Sequence, residues 1–266
     1  MYINNGDISM LLEKYLKDNL KLPIKALIYD EVSSTNTLCK ELSKEYSEDI
    51  AVIALSQSGG KGRLGRSFFS PKNSGIYLSL LLHPKLSATN STKITTAAAV
   101  AAAQAIDKIS NKKSLIKWVN DLYLDGKKVC GILTEAAFSG NGQGLDYAIL
   151  GIGVNLYSPN NGFPKDIINK AGSVFGEIKA NPKAFADFLS LFINNFYVIY
   201  NELPQNGYMD EYRQRNMLFG KAVSFIRDGK EISATVEGID DNAGIILKTE
   251  NGLFTLTAGE VSLIIK

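Results

Sequence analysis

The stretch SQSGGKGRLGRSFFSP, residues 56–71, joins two predicted strands at residues 50–57 and 75–82. Residues 59–66 of this stretch hold four glycines and three positively charged side chains. Glycine has no side chain, so the backbone of such a loop can lie close against a ligand. Three positive charges in one loop indicate that this ligand is an anion. The loop is therefore the first candidate for a binding site.

Two common phosphate-binding motifs do not fit this loop. Gly60, Gly62 and Gly65 satisfy the pattern GxGxxG, but that motif requires a helix to begin at its last glycine. Pro71 and a further predicted strand follow here instead. A Walker A loop needs Ser or Thr directly after its lysine, and Gly62 follows Lys61. A flexible strand connection with incidental charges remains the alternative to a different kind of anion site.

The composition is that of an ordinary globular protein. The 266 residues are 45% hydrophobic and 21% charged, with a net charge of +2, which predicts one or two domains and does not favour DNA binding by charge alone. Residues 50–106 contain no Asp or Glu, so the positive charge is local.

Cys39 and Cys130 lie far apart, as expected of reduced thiols in a cytoplasmic protein. With His83 as the only histidine, a zinc site or a serine–histidine triad is not favoured.

The periodicity predicts two domains. Residues 1–219 alternate between helical and strand patterns, which predicts a mixed α+β domain. Its helices are expected at residues 8–20, from SSTN onward, and at 92–109 and 182–200. Residues 220–266 carry turn signals such as Asp228-Gly229 and Asn251-Gly252 between short alternating strands. This second part predicts a small β-barrel of about five strands.

Three further segments carry polar or glycine residues at strand ends. In SSTN, Ser34 or Thr35 suits a helix N-cap, although their hydroxyls are also available to a small polar ligand. In IKWVND, Lys117 lies between apolar residues of a predicted buried strand. Its ammonium must either reach solvent or meet an anion in a cleft. The two glycines of GIGVNLY, residues 151–157, indicate a close approach beside a strand.

In this order, these segments resemble those of biotin protein ligases, also called biotin–[acetyl-CoA-carboxylase] ligases. The resemblance runs from STN and Gln57 through GKGRLGR and FSP to KWVNDLYLDGKKVCGIL, GIGVNL and TAGEVSL. It implies a mixed sheet with helices on one side, related to class II aminoacyl-tRNA synthetases, followed by an SH3-like barrel. The implied activity makes biotinyl-5′-AMP from biotin and ATP, releasing pyrophosphate. Biotin then passes to a specific lysine of a biotin carboxyl carrier protein domain.

The resemblance also implies roles for individual residues. The implied catalytic residues are Arg63 and Lys117. The biotin site comprises Ser34, Thr35, Asn36, Gln57, Lys61, Gly62, Arg63 and Lys117. The nucleotide site comprises Lys61, Arg63, Arg66, Phe68, Asn120 and Asn155. Mg²⁺ is expected to accompany ATP, with no protein ligand assigned to it.

Simple chemistry is consistent with these roles. Fixed cations relieve the repulsion between a carboxylate and ATP. The biotin carboxylate is already ionised at neutral pH, so the first step needs no general base. Residues 59–67 are expected to be mobile and to close over the adenylate, shielding it from water. In the second step Asp121 could orient the incoming amine, or Asn120-Asp121 could simply form a turn.

The sequence departs from the family pattern at two positions. Val119 replaces the proline usual after Lys-Trp, which removes a restraint on φ. Lys61 replaces a frequent arginine, which keeps the charge but loses the bidentate fork. Both changes put the affinity for the adenylate in doubt without removing a group that the chemistry requires.

Other functions remain as alternatives. A lipoate ligase shares the fold, although GKGRLGR and Trp118 favour biotin; a biotin-binding protein without turnover is a further possibility. A nucleic-acid-binding role is disfavoured by the many acidic residues of the predicted barrel. Too few residues precede the first strand for the helix-turn-helix domain of many family members. We therefore expect no specific DNA binding, no membrane association, and a monomer or homodimer in the cytoplasm.

Overall fold

The structure, a computed structural model, describes residues 5–87, 90–138, 144–178, 181–257 and 262–263. Residues 258–261, within the TAGEVSL segment, lie outside the described residues. The helices are α1 (Asn5–Asn19), α2 (Thr35–Leu42), α3 (Ser91–Ser110), α4 (Pro182–Tyr200) and α5 (Met209–Gln214). The first seven strands are β1 (Lys25–Tyr29), β2 (Ile50–Ala54), β3 (Gly75–Leu82), β4 (Leu115–Lys117), β5 (Asp121–Leu124), β6 (Lys127–Phe138) and β7 (Leu145–Asn155). The last five are β8 (Ala222–Arg227), β9 (Lys230–Ile239), β10 (Ile245–Thr249), β11 (Gly252–Leu256) and β12 (Ser262–Leu263).

Two sheets organise these strands. The larger has seven strands in the order β1-β2-β3-β7-β6-β5-β4, with β1 and β2 parallel and the other neighbours antiparallel. The smaller has five strands in the order β11-β10-β9-β8-β12. The predicted α+β class and mixed sheet are confirmed. The smaller sheet begins close to the predicted boundary between residues 1–219 and 220–266, which stays a prediction.

The larger sheet presents two different faces. In β2, Ala51 and Ile53 join the main core with α1, α3 and α4, whereas Ile50 and Val52 join a smaller cluster with α2. This division follows from the alternation of side chains along a strand. The three long helices therefore cover one face, as predicted for helices on one side, and the short α2 packs on the other face.

The face that carries α2 has a floor of small residues. Ser79 on β3 is in register with Gly151 on β7, and Gly153 on β7 is in register with Gly131 on β6. Side chains of paired residues point to the same face of a sheet, so these four positions form a shallow floor. A ligand can therefore approach the backbone of the central strands.

The local predictions held for the long elements. Asn181 caps α4, accepting a hydrogen bond from the backbone N–H of Lys183 at 3.0 Å. Ser34 occupies the N-cap position of α2 but makes no side-chain capping bond. Helix α5 was not predicted, because six residues are too short to show a helical period. Among the described helices, none has the length and apolar character needed to cross a bilayer.

Candidate active site

A cavity opens on the small-residue floor beside α2 and the glycine-rich loop. Ten of the twelve residues predicted for ligand binding line it. They are Ser34, Thr35, Asn36, Gln57, Lys61, Gly62, Arg63, Arg66, Phe68 and Asn120. The fold thus brings together segments that are up to 86 positions apart in the chain. Their roles toward particular ligands remain predictions.

A network of polar side chains occupies one end of the cavity. Gln57 Oε1 accepts hydrogen bonds from the backbone N–H of Thr35 at 2.8 Å and from its hydroxyl at 3.2 Å. Gln57 Nε2 donates to Ser70 Oγ at 2.9 Å. The hydroxyl of Ser79 lies 2.7 Å from both Thr35 Oγ1 and Asn36 Oδ1. Thr35 and Asn36 are buried, so the network is pre-ordered for a polar ligand group.

Asn36 is fixed from both sides of its amide. Its Nδ2 donates to Glu135 on β6 at 2.6 Å, while its Oδ1 faces Ser79. A Cβ placed on Gly151 would lie 2.0 Å from Asn36 Oδ1, so this position excludes any side chain. Glu135 was not among the residues predicted from the sequence. The alternation along β6 puts it on the site face with Gly131, and that alternation was the available signal.

The glycine-rich loop forms a hairpin with its own hydrogen bonds. The backbone N–H of Gly62 donates to Arg66 O at 2.7 Å, and that of Phe68 donates to Gly60 O at 2.9 Å. Arg63 Nη1 donates to Asn120 Oδ1 at 3.0 Å. This last bond joins the loop to the KWVND segment. Asn120 is itself anchored, because its Nδ2 donates to Ile132 O at 2.7 Å.

The ring of Phe68 lies against the glycine floor. A Cβ on Gly153 would lie 2.5 Å from Phe68 Cε1, and one on Gly131 would lie 3.2 Å from Cε2. The free space of the cavity is about 110 Å³. Pockets for ligands of drug size hold roughly 300–1,000 Å³. We therefore expect Phe68 and the loop to shift when a large ligand enters; closure of the loop over that ligand stays a prediction.

Lys128 is a cavity-lining cation that the sequence analysis missed. Its Nζ lies 2.7 Å from Asp121 Oδ1 and 3.4 Å from the Cβ position of Gly131. The register between β5 and β6 shifts at Leu122/Tyr123, so counting alternate residues from Gly131 does not reveal that Lys128 reaches the site face. Four cations and one carboxylate line the cavity, namely Lys61, Arg63, Arg66, Lys128 and Asp121. This charge balance favours an anionic ligand.

Lys117 and Asn155 do not line the cavity. Lys117 is in register with Asp121, which is in register with Gly131, so Lys117 lies on the site face about 10 Å from the floor. Asn155 follows Gly153 by two residues on the same face, and its Nδ2 donates to Gly172 O at 3.0 Å. Ligand contacts by these two residues stay predictions.

Tyr212, a residue of α5, anchors the backbone turn that follows Lys117. Burial raises the pKa of Tyr212 well above its ordinary value, so the phenol stays protonated. Its hydroxyl donates to Val119 O at 2.9 Å. The contact anchors the backbone at the position where the family pattern has proline.

The described residues contain no group of three His, Cys, Asp or Glu side chains that could hold a metal ion. The single carboxylate of the cavity is paired with Lys128. Mg²⁺ usually keeps several waters and binds through substrate phosphates. An Mg²⁺ ion that accompanies ATP stays an expectation from the sequence.

Two family models match this chain. The family "Biotin/lipoate A/B protein ligase family" matches residues 29–155, and "Biotin protein ligase C terminal domain" matches residues 218–264. Biotin--[acetyl-CoA-carboxylase] ligase of Paracoccus denitrificans is 30% identical over 233 residues, covering 86% of this chain and 96% of that protein. Bifunctional ligase/repressor BirA of Bacillus subtilis is 29% identical over 273 residues, covering 95% of this chain and 79% of that protein.

Solved structures show the same architecture. Biotin protein ligase from Aquifex aeolicus, in complex with biotin and ATP, superposes with a TM-score of 0.72 at 25% identity, covering 91% of this chain and 99% of that one. Biotin protein ligase from Leishmania major, in complex with biotinyl-5-AMP, superposes with a TM-score of 0.58 at 21% identity, covering 89% of this chain and 100% of that one. At 21% identity the second likeness concerns the fold alone. Together with the two family matches, these relatives establish that the chain belongs to the biotin protein ligase family.

Proposed function

We propose that this chain activates biotin with ATP to form biotinyl-5′-AMP, and then transfers biotin to a lysine of a biotin carboxyl carrier protein domain. The observation that carries the proposal is the division of the cavity into two ends. A hydroxyl and amide network lies around Asn36, and four cations lie around the glycine-rich loop. Biotin has a neutral polar head and an anionic tail end, so the two ends match its two kinds of polar group.

In this proposal the head of biotin meets the network of Ser34, Thr35, Asn36 and Gln57. An unpaired buried polar atom costs about 1–3 kcal/mol, so the ureido group requires such partners. The glycine floor lets the ligand lie close to the backbone of β7. The carboxylate then points toward the cations, where the nucleotide phosphates also bind.

The first step joins the two anions. A carboxylate oxygen forms a bond to the α-phosphorus of ATP, and the bond to the β-phosphate oxygen breaks as pyrophosphate leaves. Arg63, Lys61 and Arg66, with Lys117 beyond the cavity, supply the charge that stabilises this step. The Mg²⁺ expected with ATP neutralises phosphate charge when it is bound. Phe68, Asn120 and Asn155 are the proposed contacts of the nucleoside.

The test is a biotin-dependent exchange of labelled pyrophosphate into ATP, followed by transfer of biotin to a purified carrier domain. Lipoate in place of biotin is the matched control. Exchange with biotin and not with lipoate is expected, and the reverse result would assign the chain to the lipoate branch. Binding of biotin without exchange would identify a protein that has lost turnover.

Location and assembly remain predictions of the same proposal. Both cysteines are buried free thiols, as expected of a protein in the reducing cytoplasm. Light scattering with and without biotin will distinguish the monomer from the homodimer. Filter binding with duplex DNA over a series of salt concentrations will test the expected lack of specific DNA binding.

A further inference from the structure

Helix α5 contacts the KWVND segment, residues 117–121, through the buried hydroxyl of Tyr212. We propose that Tyr212 is a positioning residue for adenylate formation. By holding Val119 O it fixes Asn120, and Asn120 in turn fixes Arg63. The inference rests on the proposed function, which assigns Arg63 and Asn120 to catalysis and nucleotide binding, and deepens it. Tyr212 does not line the cavity, so it acts through these two residues.

The backbone is held on both sides of Asn120. The hydroxyl of Tyr212 donates to Val119 O at 2.9 Å, and the backbone N–H of Ile132 on β6 donates to Asn120 O at 3.0 Å. A peptide unit is planar, so the bond to Val119 O also fixes the nitrogen and the Cα of Asn120. Tyr212 thereby sets the direction in which the side chain of Asn120 leaves the backbone.

The side chain of Asn120 passes this restraint to the glycine-rich loop. Its Nδ2 donates to Ile132 O at 2.7 Å, which leaves Oδ1 to accept from Arg63 Nη1 at 3.0 Å. Asn120 is buried, and its amide is bonded at both of its polar atoms. Burial and the neighbouring Tyr208 raise the pKa of Tyr212, and the positive charge of Arg63 opposes them. The guanidinium is therefore close enough to the phenol to interact with it electrostatically.

Tyr212 is itself held in place. Its side chain is fully buried, and α5 is bonded to the fold on two sides. Arg213 Nε donates to Ile239 O at 3.0 Å, and Arg215 Nη1 pairs with Asp107 on α3 at 2.8 Å. A helix of six residues has little stability of its own, so these contacts fix its position. Loss of the hydroxyl should consequently release the KWVND backbone rather than move α5.

The first step of the reaction explains why this position matters. A carboxylate oxygen forms a bond to the α-phosphorus, and pyrophosphate leaves with the electron pair of the broken bond. Arg63 stabilises the charge of this step best when it is already in place, and a displacement of about 1 Å can cost roughly 100-fold in rate. The polar network around Asn36 is built on other hydrogen bonds. We therefore expect the rate to depend on Tyr212 and the binding of biotin to be retained without its hydroxyl.

Tyr212→Phe tests the proposal, because it removes the hydroxyl and keeps the ring. Biotin-dependent pyrophosphate exchange is expected to show a kcat about tenfold lower and a KM for biotin within about twofold of the wild type. Tyr208→Phe is the matched control. Tyr208 is also buried, and its hydroxyl lies 2.8 Å from Thr96 Oγ1 and donates to Lys93 O at 3.2 Å. The control should lower the melting temperature similarly and keep kcat within about twofold.

A double variant separates positioning from general destabilisation. If Tyr212 acts through Asn120, adding Tyr212→Phe to Asn120→Ala should lower kcat by less than about a further twofold. Losses that multiply in full would overturn the proposal. Equal losses of kcat in Tyr212→Phe and Tyr208→Phe would show that the hydroxyl only stabilises α5, and the proposal would then be wrong. An unchanged kcat in Tyr212→Phe would contradict it as well.

Tryptic cleavage after Arg63 gives a second measurement that needs no turnover. The bond to Asn120 restrains this side chain, so cleavage in Tyr212→Phe should be about threefold faster or more than in the wild type and in Tyr208→Phe. Asn120→Ala, which keeps the hydroxyl of Tyr212, should speed cleavage to a similar extent. Wild-type cleavage rates in both variants would refute the link. A wild-type chain without exchange would contradict the proposed function itself, whereas the cleavage rates would still test the role of Tyr212.

Discussion

The indole Nε1 of Trp118 donates a hydrogen bond to the carbonyl oxygen of Ala243 at 2.7 Å. Both residues are buried. Trp118 directly follows Lys117, and Ala243 belongs to the turn between β9 and β10 of the smaller sheet. The C-terminal part of the chain therefore supports the KWVND segment of the candidate active site.

This contact predicts that Trp118→Phe destabilises the protein. The change leaves a buried carbonyl without its donor, which costs about 1–3 kcal/mol of the free energy of unfolding. Urea unfolding will measure the loss. Phe219→Leu, at a side chain that is 66% exposed, is the control and should change the free energy of unfolding little. Equal stabilities of Trp118→Phe and the wild type would show that the contact contributes nothing.

The longer helices and strands could be predicted because their patterns of apolar residues are local and extend over several turns or positions. The long stripe of apolar residues in α4 and the alanine run of α3 each persist over several turns, and the packed helices agree with them. The short, mostly apolar runs of β2 and β3, buried at every position, likewise form strands at the predicted places. Helix α5 gave no such signal, since its six residues are held by contacts with distant parts of the chain rather than by a pattern of their own.

The site was predictable only in part. Motif resemblance supplied the residues that line one cavity, but it could not supply Glu135 or Lys128. Each of these reaches the site through a partner distant in the sequence or across a shifted register, Glu135 through Asn36 and Lys128 through Asp121. The alternation along β6 places Glu135 on the site face but does not reveal its bond to Asn36, and the shifted register hides Lys128 from the same count. The placement of Lys117 outside the cavity lining also depends on how four strands pair.

Glu135 is expected to act as a positioning residue for biotin. Its carboxylate accepts from Asn36 Nδ2 at 2.6 Å, which fixes the orientation of the amide within the polar network. Glu135→Ala should raise the KM for biotin about three- to tenfold and leave the KM for ATP unchanged, because only the biotin end loses a restraint. Exchange kinetics will measure both constants. Glu41→Gln, on the same helix as Asn36, is the control. A rise in both KM values would contradict this positioning role.

The two thiols are expected to resist alkylation in the native state. Burial raises the pKa of Cys39 to about 12 and raises that of Cys130 as well, so neither forms the reactive thiolate at about pH 8. Mass spectrometry after iodoacetamide treatment should find no adduct in the folded protein and adducts on both thiols in concentrated urea. Rapid modification of folded Cys39 would contradict this burial.

The same pKa shifts determine how stability depends on pH. Above the unfolded pKa of a thiol, near 9, the unfolded chain has lost a proton that the folded chain keeps. Stability therefore falls as pH rises above about 9. Urea midpoints of the wild type and of Cys39→Ala at about pH 8 and pH 10 will measure the effect, and the variant should lose less stability over this interval. Equal losses would show that Cys39 does not contribute to the pH dependence.

Gly153→Ala is expected to block the site by displacing Phe68. A Cβ at this position would lie 2.5 Å from Phe68 Cε1, closer than van der Waals contact allows, so the ring must move into the remaining cavity space. We expect the exchange rate at limiting substrate to fall about tenfold or more, since small displacements in a site cost this much. Gly207→Ala is the control, because no atom lies within 4 Å of its Cβ position.

A second variant separates displacement of the ring from direct exclusion of the ligand by the new methyl group. Phe68→Ala in the Gly153→Ala background removes the ring that the methyl group would strike. If the ring causes the loss, the double variant should bind biotin more tightly than Gly153→Ala alone, and isothermal titration will measure this difference as a non-additive coupling. If the losses of affinity simply add, the methyl group itself occupies the space that biotin requires. The loss of affinity then arises at the floor position Gly153 and not from displacement of Phe68.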